Sequence, residues 1–329
     1  MNVLITGAAG FIGFHTAKRL LESGCAVCGV DNLNEYYDVK LKKARLQELQ
    51  RFGQFTFIHA DIINEAAVTK LFNEYRFSYV IHLAAQAGVR YSLENPKAYI
   101  DSNITGFLHI LEACRRSEIR HLVFASSSSV YGANQKIPFS EEDVVDQPIS
   151  VYAATKKSNE LMAHTYSHLY KLPVTGLRFF TVYGPWGRPD MAYFSFTKRI
   201  MEGKSIQLFN YGDMLRDFTY ISDIVDGIEK ILVKPPLNNE RHSQAPYAIY
   251  NIGHNQPVKL ADFIELLQAL LGREAVIEHL PMQPGDVYAT YANIENLNRA
   301  IGFQPTTSIE EGLHHFVSWY KDFYETEFK

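Results

Sequence analysis

A doubly wound α/β fold, with a parallel sheet followed by a second, smaller α/β domain, is predicted by three features of this sequence. Short apolar runs alternate with amphipathic stretches through the first half, the pattern of parallel strands covered by helices. The first run, Asn2–Thr6, leads straight into a turn with glycines at 7, 10 and 13. After about residue 180 the alternation loosens and prolines accumulate, from Pro185 to Pro305, so the remainder is richer in loops. The division falls at 1–180 and 181–329, with segments free to cross between the halves.

Taken in order, the candidate strands are Asn2–Thr6, Ala26–Val30, Phe55–Ala60, Tyr79–Leu83, His121–Ala125 and Val174–Phe179. Helices are expected between them, from Phe11, about Leu41, Glu65, Ala98 and Val151. Tyr247–Ile252 reads as a further strand. The loops are short and carry Gly, Asn, Asp or Pro. A chain of 329 residues has room for a sizeable core. With 32 Lys and Arg against 36 Asp and Glu, it lacks the basic footprint of a nucleic-acid binder. No apolar run approaches a membrane span. Met1 leads into Val3-Leu4-Ile5 with no basic flank, so no signal peptide is read and a cytoplasmic location is expected. Three cysteines make no disulfide framework. Cys25 and Cys28 fall on opposite sides of a strand, and Cys114 sits in a helix. His164 and His168 are one helical turn apart, but no third ligand supports a metal site.

The glycine turn has a specific use. Gly7, Gly10 and Gly13 allow a tight turn, close backbone approach and close helix packing. A pyrophosphate can then sit on the N–H groups at the helix start, around Phe11 and Ile12. The spacing is a variant of the dinucleotide fingerprint, placed between a strand and a helix as that fingerprint requires. The sheet is therefore of Rossmann type. Asp31 and Asn32 close the second strand, where a carboxylate accepts from ribose hydroxyls and repels a 2′-phosphate, favouring NAD over NADP. Asp61 and Ile62 follow the third strand, where the adenine edge is expected. Leu83, Ala84 and Ala85 leave room for the cofactor to pass.

The fifth strand runs into Ser126, Ser127, Ser128 and Ser129, at the carboxyl end where parallel sheets bind ligands. Downstream, Tyr152 and Lys156 lie four apart, on one face of a helix. An ammonium beside a phenol favours the phenolate and creates a proton acceptor near neutral pH. One of the serines can share a substrate oxygen with Tyr152.

In this order these residues resemble the extended short-chain dehydrogenase/reductase family. The resemblance implies that Tyr152 is the acid/base and Ser127 its partner. It also implies that Lys156 binds the nicotinamide ribose and depresses the tyrosine pKa, with Asn103 and Phe179 lining the nicotinamide. Within the family the chain is similar to sugar-nucleotide 4-epimerases. Asp31–Asp38, Ala84–Arg90, Tyr183–Met191, Tyr211–Phe218 and Gln283–Asp286 carry that similarity over nearly the whole length. Tyr288 and Asn293 depart from the pattern, where proline and aspartate are expected.

The resemblance implies a tightly bound, recycled NAD and a UDP-sugar substrate, oxidised transiently at C4. It points to UDP-glucuronate, interconverted with UDP-galacturonate. Arg188 is then the ligand of the hexuronate carboxylate, because its planar fork matches one. Thr181 and Ser128 assist it by hydrogen bonding. Arg216 and Arg90 are expected on the diphosphate and Asp286 on the uridine ribose. Related dehydratases and decarboxylases carry an acid just before Val-Tyr-Gly; here Ser129 stands there, which argues against both. An epimerase of neutral UDP-hexoses and a non-catalytic NAD-binding scaffold are the other readings. The scaffold reading is weakened by the presence of Ser, Tyr and Lys together. By the same resemblance, helices from Ala98 and Val151 pair with a second subunit in a homodimer.

Overall fold

The first strand, β1 (Asn2–Thr6), buries four consecutive side chains, as a strand covered on both faces must. The computed structural model to which it belongs describes residues 1–237, 245–282 and 288–324. The chain continues through α1 (Phe11–Glu22), β2 (Ala26–Asp31), α2 (Val39–Leu49), β3 (Phe55–His59), α3 (Glu65–Glu74) and β4 (Tyr79–His82). Asp38 and Asn64 cap α2 and α3, each accepting from a backbone N–H in the first turn. Two single turns, α4 (Tyr91–Glu94) and α5 (Pro96–Tyr99), precede a π-helical turn, Ile100–Thr105, and then α6 (Gly106–Arg115). The helix expected from Ala98 is thus three pieces. Asn95 caps it two residues early, and the widened turn carries Asn103.

β5 (His121–Ser127) runs two residues beyond expectation, because Ser126 and Ser127 pair with Arg178 and Phe179. α7 (Val151–Tyr170) starts at the N-cap Ser150, whose hydroxyl accepts from Ala153 N. β6 (Val174–Phe179) follows and is wholly buried. After it come β7 (Thr181–Tyr183), α8 (Ala192–Met201), β8 (Ile206–Phe209), β9 (Leu215–Tyr220), α9 (Ile221–Leu232), β10 (Tyr247–Ile252), β11 (Pro257–Lys259), α10 (Leu260–Leu271), β12 (Ile277–Leu280), α11 (Glu295–Ile301) and α12 (Ile309–Phe323).

The large sheet is entirely parallel, in the order β10-β6-β5-β4-β1-β2-β3. Strand order reverses between β1 and β4, which opens a crevice at their carboxyl ends. One face is covered by a core that includes Phe14, Leu20, Ile224 and Ile228 from α1 and α9. The other is covered from α3, α6 and α7, through residues such as Leu71, Phe107, Ile110 and Ala163. Cys25 and Cys28 fall in these two different cores, on opposite sides of the sheet, as the strand alternation requires.

Segments past residue 180 return to this sheet: α9 packs on its face, Leu297 of α11 and Phe303 join the same core, and β10 pairs along the whole of β6. The remainder forms a three-stranded sheet, β11-β9-β7, and a two-stranded one, β12-β8. α8, α10 and α12 pack over them around Phe194, Phe263, Phe316 and Tyr320. Among the described residues, no helix is long and apolar enough to cross a membrane.

Candidate active site

The glycine turn is built so that backbone alone faces the cleft. Gly7 has φ +76°, and a Cβ there would lie 2.7 Å from Ala84 N; at Gly13 it would lie 2.1 Å from Gly7 O. No side chain fits either place without moving backbone. The N–H groups of Gly7 and Ala8 donate to Val30 O (2.7 and 3.2 Å). Gly10 caps α1 without a side-chain hydrogen bond, and Gly10, Phe11, Ile12 and Gly13 line the cleft. Donors and a helix dipole on bare backbone suit the pyrophosphate of a dinucleotide.

Asp31 lines the same cleft and is already oriented: its Oδ2 accepts from Ala9 N (3.0 Å) and its Oδ1 from Leu33 N (2.8 Å). Two acceptors fixed in this way leave further lone pairs for ribose hydroxyls. Asn32 donates to Asp61 Oδ2 (2.8 Å), joining the ends of β2 and β3. Ile62, Leu83, Ala84 and Ala85 complete this wall. Lys42, not foreseen, also lines it. Lys42 is nearly buried, holds Asn34 O (2.6 Å), and is driven by burial down to about 8.

At the other end stand Ser127, Ser128, Ser129, Tyr152, Lys156, Phe179 and Thr181. Ser127 Oγ accepts from Ser129 N (3.2 Å). Burial pushes the Tyr152 phenol up, whereas its hydrogen bond with Ser127 and the charge of Arg188 pull it down. The spacing of Tyr152 and Lys156 assigns a further pull to the lysine, whose Nζ donates here to Ala125 O (2.9 Å). Asn103 is expected at the nicotinamide. It is buried away from the cleft lining, accepts from Gln86 N (2.8 Å) and donates to Gln86 O (3.0 Å) and Thr155 Oγ1 (3.0 Å). Its amide braces the loop after β4 against α7 and so supports the nicotinamide wall from behind.

Arg188 lines the cleft, with Asp190 gripping its fork: Nε donates to Oδ1 (3.0 Å) and Nη2 to Oδ2 (2.5 Å). Tyr36 Oη donates to Asp190 Oδ2 as well (3.2 Å). Burial works to raise the Asp190 carboxyl, but Arg188 outweighs it and holds the group below its ordinary range. Asp190 takes two of the five guanidinium donors, which leaves three directions for a second anion.

Arg216 also lines the cleft, its Nη1 donating to Leu215 O (2.8 Å) and Tyr288 O (3.1 Å). Arg90 does not line it. The Arg90 guanidinium lies over the Phe209 ring, 4.9 Å from its centre, at an exposed position. Asp286 lies outside the described residues. Among those described, no His, Cys, Asp and Glu are grouped to hold a metal ion.

Comparison with known proteins agrees with this geometry. The model of the NAD dependent epimerase/dehydratase family matches residues 3–253. The chain belongs to that family. A relative from Rhizobium meliloti (strain 1021), named as a probable UDP-glucuronate 4-epimerase, is 49% identical over 334 residues, covering 98% of this chain and 98% of the relative. Among solved structures, UDP-glucuronic acid 4-epimerase from Bacillus cereus, in complex with UDP-glucuronic acid and NAD, superposes with a TM-score of 0.90. That match has 34% identity and covers 98% of this chain and 100% of that one. UDP-glucose 4-epimerase from Thermotoga maritima, with UDP-glucose, gives a TM-score of 0.88 at 30% identity, covering 98% and 99%.

The family's Tyr and Lys stand where the spacing puts them, but Tyr36, Lys42, Arg45 and Asp190 are not foreseen from it. Tyr36 and Asp190 fall within stretches that carry the resemblance, and Lys42 and Arg45, a few residues beyond one of them, are buried. Lys156 itself supports a prediction. Burial lowers it from 10.5 to about 8. Between those values the unfolded chain holds a proton that the folded chain does not, so stability rises with pH across that window. Lys156→Met abolishes this rise. At pH 7 it relieves a cost of roughly 3 kcal/mol, less about 1 kcal/mol for the hydrogen bond to Ala125 O. Urea unfolding of both dinucleotide-stripped proteins at pH 7 and pH 10 checks the result; equal pH slopes would refute it.

Proposed function

We propose that this chain is an NAD-dependent 4-epimerase that interconverts UDP-glucuronate and UDP-galacturonate. The observation that carries this reading is Arg188, a cation on the cleft wall close enough to Tyr152 to pull down its phenol. A neutral hexose offers that cation hydroxyl oxygens but no counter-charge. Among the described residues, the carboxylates lining the cleft are Asp31 and Asp61, both at the dinucleotide end, and Asp190 is held ionised. The described residues at the serine end therefore offer no acid of the kind that dehydration needs.

Tyr152 takes the proton of the C4 hydroxyl and later returns it, with Ser127 aligning the shared oxygen. NAD, when bound, supplies the hydride acceptor and donor at C4. The 4-keto sugar turns over between the two hydride steps, and no net redox change results. The ketone also turns the uronate into a β-keto acid. Carbon dioxide leaves only when the C5–C6 bond aligns with the carbonyl π system. Arg188, helped by Ser128 and Thr181, holds the carboxylate out of that alignment. Arg216 takes the diphosphate, and Asp286 the uridine ribose.

The test is incubation with UDP-glucuronate and no added NAD, read by mass and proton NMR. A product of equal mass with an inverted C4 proton is expected. A product lighter by CO₂ would replace the reading with a decarboxylase, and no product even with NAD supplied would move the substrate to a neutral UDP-hexose. The same reading includes a homodimer and a cytoplasmic location. Leu108 on α6 and Leu161 and Leu169 on α7 are exposed apolar residues suited to a shared helix bundle. A monomeric mass by light scattering at micromolar concentration would exclude that dimer. Three buried free thiols accord with a reducing compartment.

A further inference from the structure

The loop that carries Arg188 is moored to the dinucleotide unit. Its backbone is unusual, with Gly184 at φ +141° and Trp186, a non-glycine, at φ +60°. Three successive carbonyls of this loop are captured by side chains from α1 and α2. Pro185 O accepts from His15 Nε2 (2.9 Å), and burial keeps that imidazole neutral by lowering it to about 3. Trp186 O accepts from Arg45 Nε and Nη2 (3.2 and 2.6 Å), and Gly187 O from Arg45 Nη2 (3.0 Å). On its other side Arg45 Nη1 donates to Ala9 O (2.7 Å), inside the glycine turn, and to Tyr37 Oη (2.7 Å).

Arg45 is 0% exposed, and none of these partners is a carboxylate. Burying a guanidinium without a counter-charge is costly, and an apolar side chain would fill the space at less cost. What the guanidinium adds is geometric. One rigid plane fixes the turn beneath the pyrophosphate site and the two residues just before Arg188. Recognition of a carboxylate by an arginine fork tolerates displacements of only about half an ångström.

We propose that Arg45 is a positioning residue for hexuronate recognition: it sets the place of Arg188 in the cleft relative to the dinucleotide turn. This rests on the preceding reading, in which Arg188 meets the substrate carboxylate. Lysine keeps the charge at this position but has no fork to gather three carbonyls.

A double-mutant cycle tests it, with dissociation constants for UDP-glucuronate, UDP-glucose and UDP measured by calorimetry on the NAD-loaded protein. Arg45→Lys weakens UDP-glucuronate binding by about tenfold and leaves UDP unchanged. In an Arg188→Ala background the same substitution has no further effect on UDP-glucuronate. Equal losses for UDP and UDP-glucuronate, or the same loss in both backgrounds, would overturn the proposal and leave Arg45 a purely structural residue. Should Arg45→Lys fail to fold, Tyr37→Phe removes a single hydrogen bond to the guanidinium; a smaller shift in the same direction, again dependent on Arg188, is expected, and no shift would overturn the proposal. If the unmodified protein binds UDP-glucuronate no better than UDP-glucose, the uronate reading itself falls. If it is selective but indifferent to Arg45, only this proposal falls.

Discussion

Tyr152→Phe is expected to lower turnover of UDP-glucuronate by about 10³-fold while leaving bound NAD and the fold unchanged. The hydroxyl is the group that the cleft surrounds. Burial raises its pKa, and Ser127 and Arg188 offset part of that rise. The ring has a separate task. It packs edge-on against Tyr99, with centroids 6.0 Å apart, and phenylalanine preserves that packing. Turnover followed by NMR, dinucleotide content after purification and a thermal melt separate the two roles. Residual activity within tenfold of the unmodified enzyme would assign the proton to another group. A lost melting transition would mean that the hydroxyl is structural.

Arg178→Met is expected to destabilise the fold by about 3–5 kcal/mol. Arg178 and Glu160 are both about 3% exposed and share two hydrogen bonds, Nε to Oε1 (2.8 Å) and Nη2 to Oε2 (2.9 Å). Ser126 also donates to Oε1 (2.7 Å), and Arg178 Nη1 to Tyr131 Oη (3.0 Å). Removing the guanidinium leaves a buried carboxylate with only Ser126 and the longer contact to Lys157 Nζ (3.3 Å). Converting both partners, Arg178→Met with Glu160→Met, recovers most of the loss. Urea midpoints of the three proteins measure this, and a single variant within 1 kcal/mol of the unmodified protein would refute it. Burial works to raise Glu160, but Arg178 and Ser126 outweigh it and leave the pKa below 4.5. The pair's contribution is therefore complete at neutral pH and is lost as acid takes the medium below that value. Glu160 sits one helical turn beyond Lys156, so the pair also fixes how α7 meets β5 and β6 behind Tyr152 and Lys156.

Much of this is legible in the sequence because it is local. The glycine turn, the strand ends at Asp31 and Asp61, and the Tyr152–Lys156 spacing are each contained within one βα unit or one helix. The structure places them where the periodicity does. What is not legible are the contacts between distant segments. The direction in which Lys156 points is decided by a carbonyl 31 residues earlier. Asn103, expected at the nicotinamide, is held by Gln86 and Thr155, which no spacing rule connects to it. Asp190 can be recognised only once Arg188 has a place. The π-helical turn at Ile100–Thr105 leaves no mark in the apolar periodicity, because only Ile100 and Ile104 in it are apolar.

The position of β10 affects how the chain can be made. The strand completing the large sheet arrives about seventy residues after its neighbour β6, with α8, β8, β9 and α9 in between. Until residue 252 has left the ribosome, Val174–Phe179 is an apolar strand with an open ladder of backbone donors and acceptors, the kind of edge that recruits strands from other chains. The nascent protein thus passes through a stage in which its dinucleotide unit is nearly formed yet adhesive. A chain cut short at residue 180 would be arrested at that stage. Closure depends on pairing over a long sequence separation, a slow step for any parallel sheet, and this interval is when the chain most needs protection from its own copies.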